Sequence, residues 1–374
     1  MSRPKPDEGA PVAPRRLLHI IAANRWGEPW RHALDVCRHF SLMGWSVTAY
    51  TRDAKAIDSR FRQARIDLRH CALRGFFDIS STLHLVRDLR RERPGTIVHV
   101  HRYRDAFAVL LARKIARRKD IRVVSTRHKL NPGADNWLAR RIYRNLDAQV
   151  FISTAVRERF LDSWRDRPLP FPSARLHTIP PAANLDVADI VPEPEKGPRI
   201  VLCKSDLVPG NGLETMIDAM STLRGLKTRL WIVGDGDPDY IDTLRRRAQV
   251  LGVMDMIDWK LRPADPSALI DDCHVAVDPS VIPCPFGPAH IEYMAHGRPQ
   301  VLSSSVSPSE HVASGREAII VPPSQGAALG NALKTLIEDP DRRRRMGEEA
   351  RRTFDSHFSW QKCANRLQRL YRNL

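Results

Sequence analysis

The stretch from residue 278 to residue 310 combines groups that suit a phosphorylated sugar. A turn rich in proline and glycine ends at Pro288, and a helical pattern that contains Glu292 follows it and stops at Gly297. The first turn of a helix has unpaired backbone N–H groups, which bind anions such as phosphate. Glu292 lies roughly one to two turns into this predicted helix, where its carboxylate could accept hydrogen bonds from sugar hydroxyls. These residues therefore predict a site for a phosphorylated sugar rather than for DNA.

The elements that must position this site alternate between strand and helix along the chain. Continuous apolar runs at 17–23, 96–101 and 200–203 predict buried parallel strands, and amphipathic segments between such runs predict helices. This alternation is typical of an α/β fold with doubly wound parallel sheets. We therefore expect two facing Rossmann-like domains, with the loops at the carboxyl ends of the strands pointing into one cleft between them.

The acidic, proline-rich segment 184–198 divides the chain. Its composition is that of an interdomain linker, which predicts a first domain at 17–183 and a second domain at 199–374. The last helix of the second domain is a candidate to pack back on the first domain. Residues 1–16 lack the apolar segment of a secretory signal, and we expect them to form a disordered tail.

The composition disfavours several classes of protein. No apolar run approaches the roughly 18 residues of a membrane-spanning helix, and the six cysteines are scattered without a Cys-x-x-Cys pair. This usage favours a cytoplasmic protein over a disulfide-bonded or zinc-binding one. The net charge of +17 fits solvated helix faces, an anionic substrate or an anionic membrane such as the inner face of the plasma membrane. Nucleic acid is a less favoured partner, because no aromatic platform interleaves with the basic residues.

Several short segments of the second half occur in the order that characterises one enzyme family. They are LVPGNGLETMIDA, LWIVGDGD, PFGPAHIEYMAHGRPQV and FSWQKCANRLQRLY. In sequence and spacing this half resembles glycosyltransferase family 4, whose members have the GT-B fold. The collinear match covers residues 199–374, and the first half matches more loosely through segments such as TIVHVHRY and VVSTRH.

The resemblance implies a retaining glycosyltransferase that moves a sugar from a nucleotide-sugar donor to a glycan or lipid-linked acceptor in cell-surface polysaccharide synthesis. It implies no metal or other cofactor, because basic side chains and helix N-termini neutralise the leaving diphosphate. The family pattern places Glu292 at the nucleotide ribose and His128 near the transferred sugar, and both are catalytic candidates. The donor-binding candidates are Gly27, Lys204, Asn211, Gly212, Cys284, Pro285, Phe286, Gly287 and Pro288. The acceptor-side candidates are Trp26, Trp30 and His101.

Three donor-site positions depart from the family pattern. Asp206 and Asn211 stand where the family has an Arg and a Lys, and Cys284 stands where it has the first of two glutamates. Losing two cations at a diphosphate weakens transition-state stabilisation, by about 1.5–3 kcal/mol for each charged hydrogen bond. Lys204, two residues before Asp206 and on the same face of the predicted strand, is a candidate to compensate, and the alternative is that it is a surface residue at the end of the strand.

These departures leave two alternatives to an ordinary transferase, since a fold does not by itself fix an activity. One is a catalytically degenerate relative that serves as a binding or scaffold protein. The other is an active transferase with an atypical donor, whose leaving group carries less charge because Asp206 would repel a diphosphate.

Overall fold

The computed structural model describes residues 15–24, 27–76, 78–182, 187, 190–284, 287–306 and 312–374. Within these residues the chain forms two α/β domains, each built on one parallel β-sheet with helices on both faces. The predicted fold class is therefore confirmed. Every helix among the described residues is too short or too polar to cross a membrane.

The first domain contains a sheet of seven strands and six helices. The strands are β1 (Arg16–Ile21), β2 (Ser46–Thr51), β3 (Asp67–His70), β4 (Ile97–Val100), β5 (Arg122–Arg127), β6 (Ala148–Phe151) and β7 (Leu176–Thr178). The helices are α1 (Glu28–Leu42), α2 (Lys55–Gln63), α3 (Ile79–Arg91), α4 (Tyr103–Ile115), α5 (Trp137–Asn145) and α6 (Thr154–Asp162). The strand order is β3-β2-β1-β4-β5-β6-β7. The order reverses between β1 and β4, which is where a doubly wound sheet opens a crevice for ligands.

The second domain repeats this plan with six strands. The strands are β8 (Arg199–Lys204), β9 (Thr228–Gly234), β10 (Ile257–Leu261), β11 (Val275–Asp278), β12 (Gln300–Ser303) and β13 (Ala318–Val321). The helices are α7 (Leu213–Met220), α8 (Pro238–Val250), α9 (Pro288–Ala295), α10 (Gly326–Glu338), α11 (Pro340–Thr353) and α12 (Trp360–Arg372). The strand order is β10-β9-β8-β11-β12-β13, and it reverses between β8 and β11.

Each sheet is covered on both faces by apolar side chains. In the first domain, α3 to α6 cover one face, and α1 and α2 cover the other. The central strands β1 and β4 are buried along their whole length, as continuous apolar runs in a parallel sheet require. The largest core of the second domain lies between β8, β9 and β11 and the helices α7, α8 and α10.

The helix α12 follows the second domain in sequence but packs on the first. Its buried side chains Leu367, Leu370 and Tyr371 belong to the same apolar cluster as Phe40 of α1, and the rings of Phe40 and Tyr371 are 5.2 Å apart. The Nε1–H of Trp360 also donates to Nδ1 of His39 at 2.9 Å. The chain therefore connects the two domains twice, once through residues 183–198 and once before α12.

Three elements have no counterpart among the sequence predictions. The helix α2 buries only Ile57, Asp58 and Phe61, so its apolar stripe is too short to stand out against charged neighbours. Four of the five residues of the strand β10 are half-buried. The strand β7 has three residues and lies at the edge of its sheet. Short and half-exposed elements carry little periodicity, and this is the physical reason that they were missed.

Candidate active site

A cavity of about 440 Å³ opens at the carboxyl edge of the second sheet. We call it the second-domain cavity. The loops after β8, β9 and β11 and the start of α9 form its walls, so it lies at the point where the strand order reverses. Among its lining residues are Lys204, Asp206, Asn211, Asp235, Arg262, Asp278, Cys284, Gly287 and Glu292. Arg31, from α1 of the first domain, lines the same cavity.

Glu292 is the most strongly anchored side chain of this cavity. It is 3% exposed, and its carboxylate pairs with the ammonium of Lys204 in a short contact. The hydroxyl of Ser267 donates to Oε2 of Glu292 at 3.2 Å. Nη1 of Arg31 lies 3.7 Å from Oε1, so the first domain reaches the same carboxylate. A buried carboxylate with these partners is held in one orientation toward the cavity.

Lys204 lies at the end of β8 and reaches the cavity, but its charge is engaged. Its backbone N–H donates to the hydroxyl of Tyr293 at 2.8 Å, which fixes the end of the strand. Its ammonium contacts Glu292 and lies 3.4 Å from Oγ of Ser267. The sequence predicted Lys204 as a substitute cation for a diphosphate. In this structure Lys204 is neutralised by Glu292, whose carboxylate was predicted to hold the ribose.

The loop between β8 and α7 is shaped by glycine at the start of the helix. Gly212 forms the N-cap of α7 with φ of 75°, and a Cβ at this position would overlap the backbone carbonyl of Pro279. The side-chain amide of Asn211 donates to the backbone carbonyl of Asp206 at 2.8 Å, closing the loop. Asn211 lines the cavity, whereas Gly212 lets the loop after β8 approach the loop after β11.

The remaining donor candidates are placed unevenly. Cys284 is half-buried and lines the cavity beside Gly287, the N-cap of α9. Gly27 caps α1 with φ of 177°, an extended conformation that any residue adopts, and it lines neither cavity described here. The side chain of Pro288 is not among those described, although the residue begins α9. Trp26, Pro285 and Phe286 lie outside the described residues.

The second-domain cavity contains acidic residues, such as Asp235 and Asp278, that were not among the predicted site residues. Asp235 pairs with Arg262 at 2.8 Å, and Asp206 is exposed at the rim. Asp278 accepts from the hydroxyl of Ser280 at 2.6 Å, and burial raises the pKa of the Asp278 carboxyl. An anionic ligand in this cavity depends on Arg31, Lys204 and the N-termini of α7 and α9 to balance these carboxylates.

Sequence reasoning missed Arg31. Its side chain was not among the predicted site residues. In the structure α1 begins three residues before Arg31, at Glu28, so Arg31 lies in the first turn and reaches Glu292. A cation in a first turn opposes the helix dipole. Arg31 also follows β1, a strand at the reversal point of the first sheet. These two features of Arg31 could have indicated a functional role.

A second cavity, of about 540 Å³, opens at the carboxyl edge of the first sheet. We call it the first-domain cavity. It contains the predicted residues Trp30, His101 and His128 in its lining. The rings of Trp30 and His101 are 6.0 Å apart, and Nδ1 of His101 lies 3.0 Å from Nε2 of His128. Trp30 and Arg31 are consecutive, so the first turn of α1 contributes to both cavities.

The histidines beside the first-domain cavity are electrically neutral at physiological pH. Burial and, to a smaller extent, the nearby His32 lower the pKa of His128 from its ordinary 6.5 to about 3. Burial also lowers the pKa of His19 to about 3 and that of His32 to about 4. The pKa of His101 falls well below its ordinary value, because it is buried and faces other imidazoles. A neutral imidazole has one N–H donor and one acceptor nitrogen.

One group of side chains in the described residues has the spacing of a metal site. Ligand atoms of Asp53, Asp58 and His70 lie within 4.8 Å of one another at the ends of β2 and β3. Asp58 already accepts from the hydroxyl of Thr51 at 2.7 Å and contacts Nε2 of His70 at 2.9 Å. None of the three lines either cavity. Asp58 and His70 therefore form a hydrogen-bonded pair that closes the loop after β2, and this pair explains why the three side chains lie close together.

Two family models match adjacent parts of the chain. The family model described as "Glycosyltransferase Family 4" matches residues 30–187, and the model described as "Glycosyl transferases group 1" matches residues 188–353. Their shared boundary lies within the segment predicted as the linker. Together the two models account for most of both domains.

Several curated relatives are mannosyltransferases. The chain is 29% identical over 254 residues to the GDP-mannose-dependent alpha-(1-6)-phosphatidylinositol monomannoside mannosyltransferase of Mycolicibacterium smegmatis, covering 62% of this chain and 63% of the relative. It is 26% identical over 269 residues to the MMP alpha-(1->4)-mannosyltransferase of Mycolicibacterium hassiacum, covering 69% of this chain and 62% of the relative. These matches thus span somewhat less than two thirds of the relatives' lengths.

Solved structures show the fold across the whole chain. A glycosyltransferase from Rickettsia africae superposes with a TM-score of 0.83 at 16% identity, covering 96% of this chain and 98% of that one. HepE of Anabaena in complex with UDP gives a TM-score of 0.82 at 16% identity, covering 96% of this chain and 100% of that one. Two family models that together match residues 30–353, and structures that match both sheets of the fold, lead to one conclusion: the chain belongs to glycosyltransferase family 4 and has the GT-B fold.

Proposed function

We propose that this chain is a retaining, metal-independent glycosyltransferase. A nucleotide-sugar donor binds in the second-domain cavity, and a hydroxyl of a glycan or lipid-linked acceptor binds in the first-domain cavity. The observation that carries the proposal is the placement of the two cavities, which open at the carboxyl edges of the two sheets and share the first turn of α1. Such a placement holds two ligands in a fixed relative orientation. Holding the reactants in this way removes a large part of the barrier to a two-substrate reaction.

In the donor site, charge balance assigns a role to each group. The diphosphate accepts hydrogen bonds from the N-termini of α7 and α9 and pairs with Arg31 and Lys204. Glu292 accepts hydrogen bonds from the ribose hydroxyls. Because Lys204 contacts Glu292 in this structure, donor binding exchanges an internal ion pair for ion pairs and hydrogen bonds to the ligand. His128 contacts the sugar or the acceptor from the first-domain cavity.

The names of the relatives suggest which donor to test first. Two of the relatives described above are mannosyltransferases, and one of them is named as dependent on GDP-mannose. We therefore take GDP-mannose as the leading donor, with other GDP-, UDP- and ADP-sugars as alternatives. A donor whose leaving group carries less charge remains a further alternative, because Asp206 lies at the rim of the cavity.

The acceptor is proposed to carry an anionic group near the reacting hydroxyl. Arg104 and Lys129 are exposed at the first-domain cavity, and the whole chain has a net charge of +17. These charges would attract a phosphate-containing lipid headgroup on the inner face of the plasma membrane. The named activity of the Mycolicibacterium smegmatis relative, on phosphatidylinositol monomannoside, supports an acceptor of this class.

The test combines donor binding with turnover. One nucleotide sugar, with GDP-mannose tested first, should raise the melting temperature of the protein by mass action. The variant Glu292→Gln should weaken its binding about 10-fold or more, since hydrogen bonds to a charged group contribute about 1.5–3 kcal/mol. Glu338→Gln, an exposed residue on α10 that is 4.0 Å from Lys334, is the matched control and should bind as the parent does. Turnover should persist in EDTA.

A failure of every common GDP-, UDP- and ADP-sugar to bind or turn over would contradict the proposal. The structure also favours one second candidate, a binding or scaffold protein that no longer transfers sugar. The supporting observation is the neutralisation of Lys204 by Glu292, in a cavity that also contains Asp206 and Asn211. Micromolar binding of a nucleotide sugar without turnover in the presence of acceptor would favour this candidate.

A further inference from the structure

Three imidazoles in the first domain form a linear chain of hydrogen bonds that ends at the first-domain cavity. Nδ1 of His19, on β1, lies 3.1 Å from Nε2 of His101. Nδ1 of His101, just after β4, lies 3.0 Å from Nε2 of His128. His128 lines the cavity, and its Nδ1 has no partner within the part of the chain that the structure describes. The other end of this row of imidazoles is fully buried, since His19 is 0% exposed.

The buried end of this chain decides which nitrogens carry protons. Nε2 of His19 is buried and has no hydrogen-bond partner among the described residues. If the protons were placed so that His128 donated to His101 and His101 donated to His19, the N–H of His19 would be this orphaned Nε2. A buried N–H without an acceptor is rarer and less favourable than an unpaired acceptor lone pair. The protons therefore run the other way, from Nδ1 of His19 to His101 and from Nδ1 of His101 to His128.

We propose that His19 and His101 are positioning residues that fix His128 as its Nδ1–H tautomer, so that His128 presents a permanent hydrogen-bond donor to an oxygen atom of the ligand in the first-domain cavity. The identity of that ligand rests on the proposed function, whereas the tautomer of His128 does not. Nε2 of His128 is occupied as an acceptor by His101, which leaves Nδ1–H as the group available to the ligand.

The same geometry excludes His128 as a general base. To accept a proton from the ligand, Nδ1 of His128 would have to be unprotonated, and in the neutral series this places the protons on Nε2 of all three imidazoles, including the buried Nε2 of His19. That N–H would have no acceptor, because Nε2 of His19 is buried and has no hydrogen-bond partner among the residues that the structure describes. Burial lowers the pKa of all three imidazoles, which keeps the chain neutral. A donor in a fixed orientation stabilises negative charge that develops on an oxygen atom.

The test is nitrogen NMR of protein labelled with ¹⁵N-histidine, in which couplings from ring protons identify the protonated nitrogen. His274 supplies an internal reference of the opposite tautomer. Its Nδ1 accepts from the backbone N–H of Ile200 at 3.0 Å, and its Nε2 lies 2.9 Å from the carbonyl of Pro194. His128 should give the Nδ1–H pattern and His274 the Nε2–H pattern, with each signal assigned by its absence in His128→Gln or His274→Gln. An Nε2–H pattern for His128, or a mixture of the two forms, overturns the proposal.

Two variants of His101 separate positioning from packing. In His101→Asn the side-chain amide replaces Nδ1–H as the donor to His128, so the Nδ1–H tautomer of His128 should be kept. His101→Leu removes the donor, so His128 should become a mixture of tautomers and kcat should fall about 10-fold or more with a smaller change in KM, as expected when a transition-state donor is disordered. An unchanged His128 tautomer in His101→Leu would contradict the inference.

The spectrum of the unmodified protein decides the question even if His101→Leu does not fold. It also needs no substrate. Absence of transferase activity together with an Nδ1–H pattern would count against the proposed function alone, and an Nε2–H pattern in an active transferase would count against the tautomer alone.

Discussion

Individual residues of the candidate site were partly predictable. Glu292, Cys284 and Asn211 were found from their positions in sequence motifs, and all three line the second-domain cavity. The pairing of charged groups was not predictable, because the contact of Lys204 with Glu292 joins residues 88 positions apart. The contribution of Arg31 depends on the approach of two domains, and a pattern along one chain carries no information on that distance.

The buried imidazoles make stability depend on pH. His19, His32 and His128 have pKa values lowered by burial to about 3, about 4 and about 3, so they bind protons in the unfolded chain at higher pH than in the folded one. Above pH 6.5 both states are neutral and the imidazoles have no effect. As the pH falls from about 6.5 toward 4, each imidazole should lower the free energy of unfolding by about 1.4 kcal/mol per pH unit.

Urea denaturation at pH 7.5 and pH 5.5 would measure this effect. The three imidazoles together should lower the free energy of unfolding by about 4 kcal/mol between these two values. His32→Asn should reduce the measured loss by about 1.4 kcal/mol. Gln361→Ala, a change at an exposed side chain of α12 without a titratable group, should leave it unchanged. Equal stability of the parent protein at the two pH values would show that these imidazoles are accessible to protons in the folded state.

Among the elements, the starts of helices form much of the candidate donor site. Gly212 is the N-cap of α7 and Gly287 is the N-cap of α9, and both helices follow strands at the reversal point of the second sheet. Long buried strands and the helices between them were predictable, because their apolar periodicity is strong. The elements missed were α2, β7 and β10, whose burial is partial or whose length is short. Their formation depends on neighbours that only the folded sheet supplies.

Gly212→Ala should disrupt the loop that leads into α7. The position has φ of 75°, and an added Cβ would overlap the carbonyl of Pro279, so the loops after β8 and β11 must move apart. Gly44→Ala is a matched control, because Gly44 has φ of 78° with no atom within 4 Å of the added Cβ. The control should cost about 1 kcal/mol of stability from backbone strain alone.

Gly212→Ala should cost about 1–3 kcal/mol more than the control and should also weaken nucleotide-sugar binding, measured by calorimetry. Donor affinity in Gly44→Ala should equal that of the parent. Equal affinities in both variants would mean that the close approach of the two loops does not shape the donor site.

At the scale of the whole molecule, the fold of the first domain depends on residues from the far end of the described chain. The side chains of α12 complete the apolar cluster that α1 and the first sheet begin, and the hydroxyl of Tyr371 lies 2.5 Å from Nδ1 of His99, beneath the histidines of the cavity. The direct ion pair that Arg31 forms with Glu292 is half-exposed on the arginine side and should contribute less than about 1 kcal/mol. The apolar packing of α12 is therefore the stronger link between the domains.

Leu367→Ala should destabilise the first domain even though it changes the last helix. Leu367 is 1% exposed within the cluster, and its truncation should cost about 2–5 kcal/mol. Hydrogen exchange should show the loss of protection in β1 and α1, with smaller changes in β8 and β9. Gln361→Ala, at an exposed position of the same helix, is the control. Loss of protection confined to the second domain would contradict the assignment of α12 to the first.

The return of α12 also has a consequence for synthesis on the ribosome. Domains usually fold in the order in which they are translated, but residues 16–182 lack their covering helix until α12 has been made. At about 5–20 residues per second this delay is roughly 10–40 s. During that interval Phe40 and Trp45 belong to an uncovered apolar surface on the nascent chain. That surface is where trigger-factor-like chaperones would bind, and where misassembly between neighbouring nascent chains would begin.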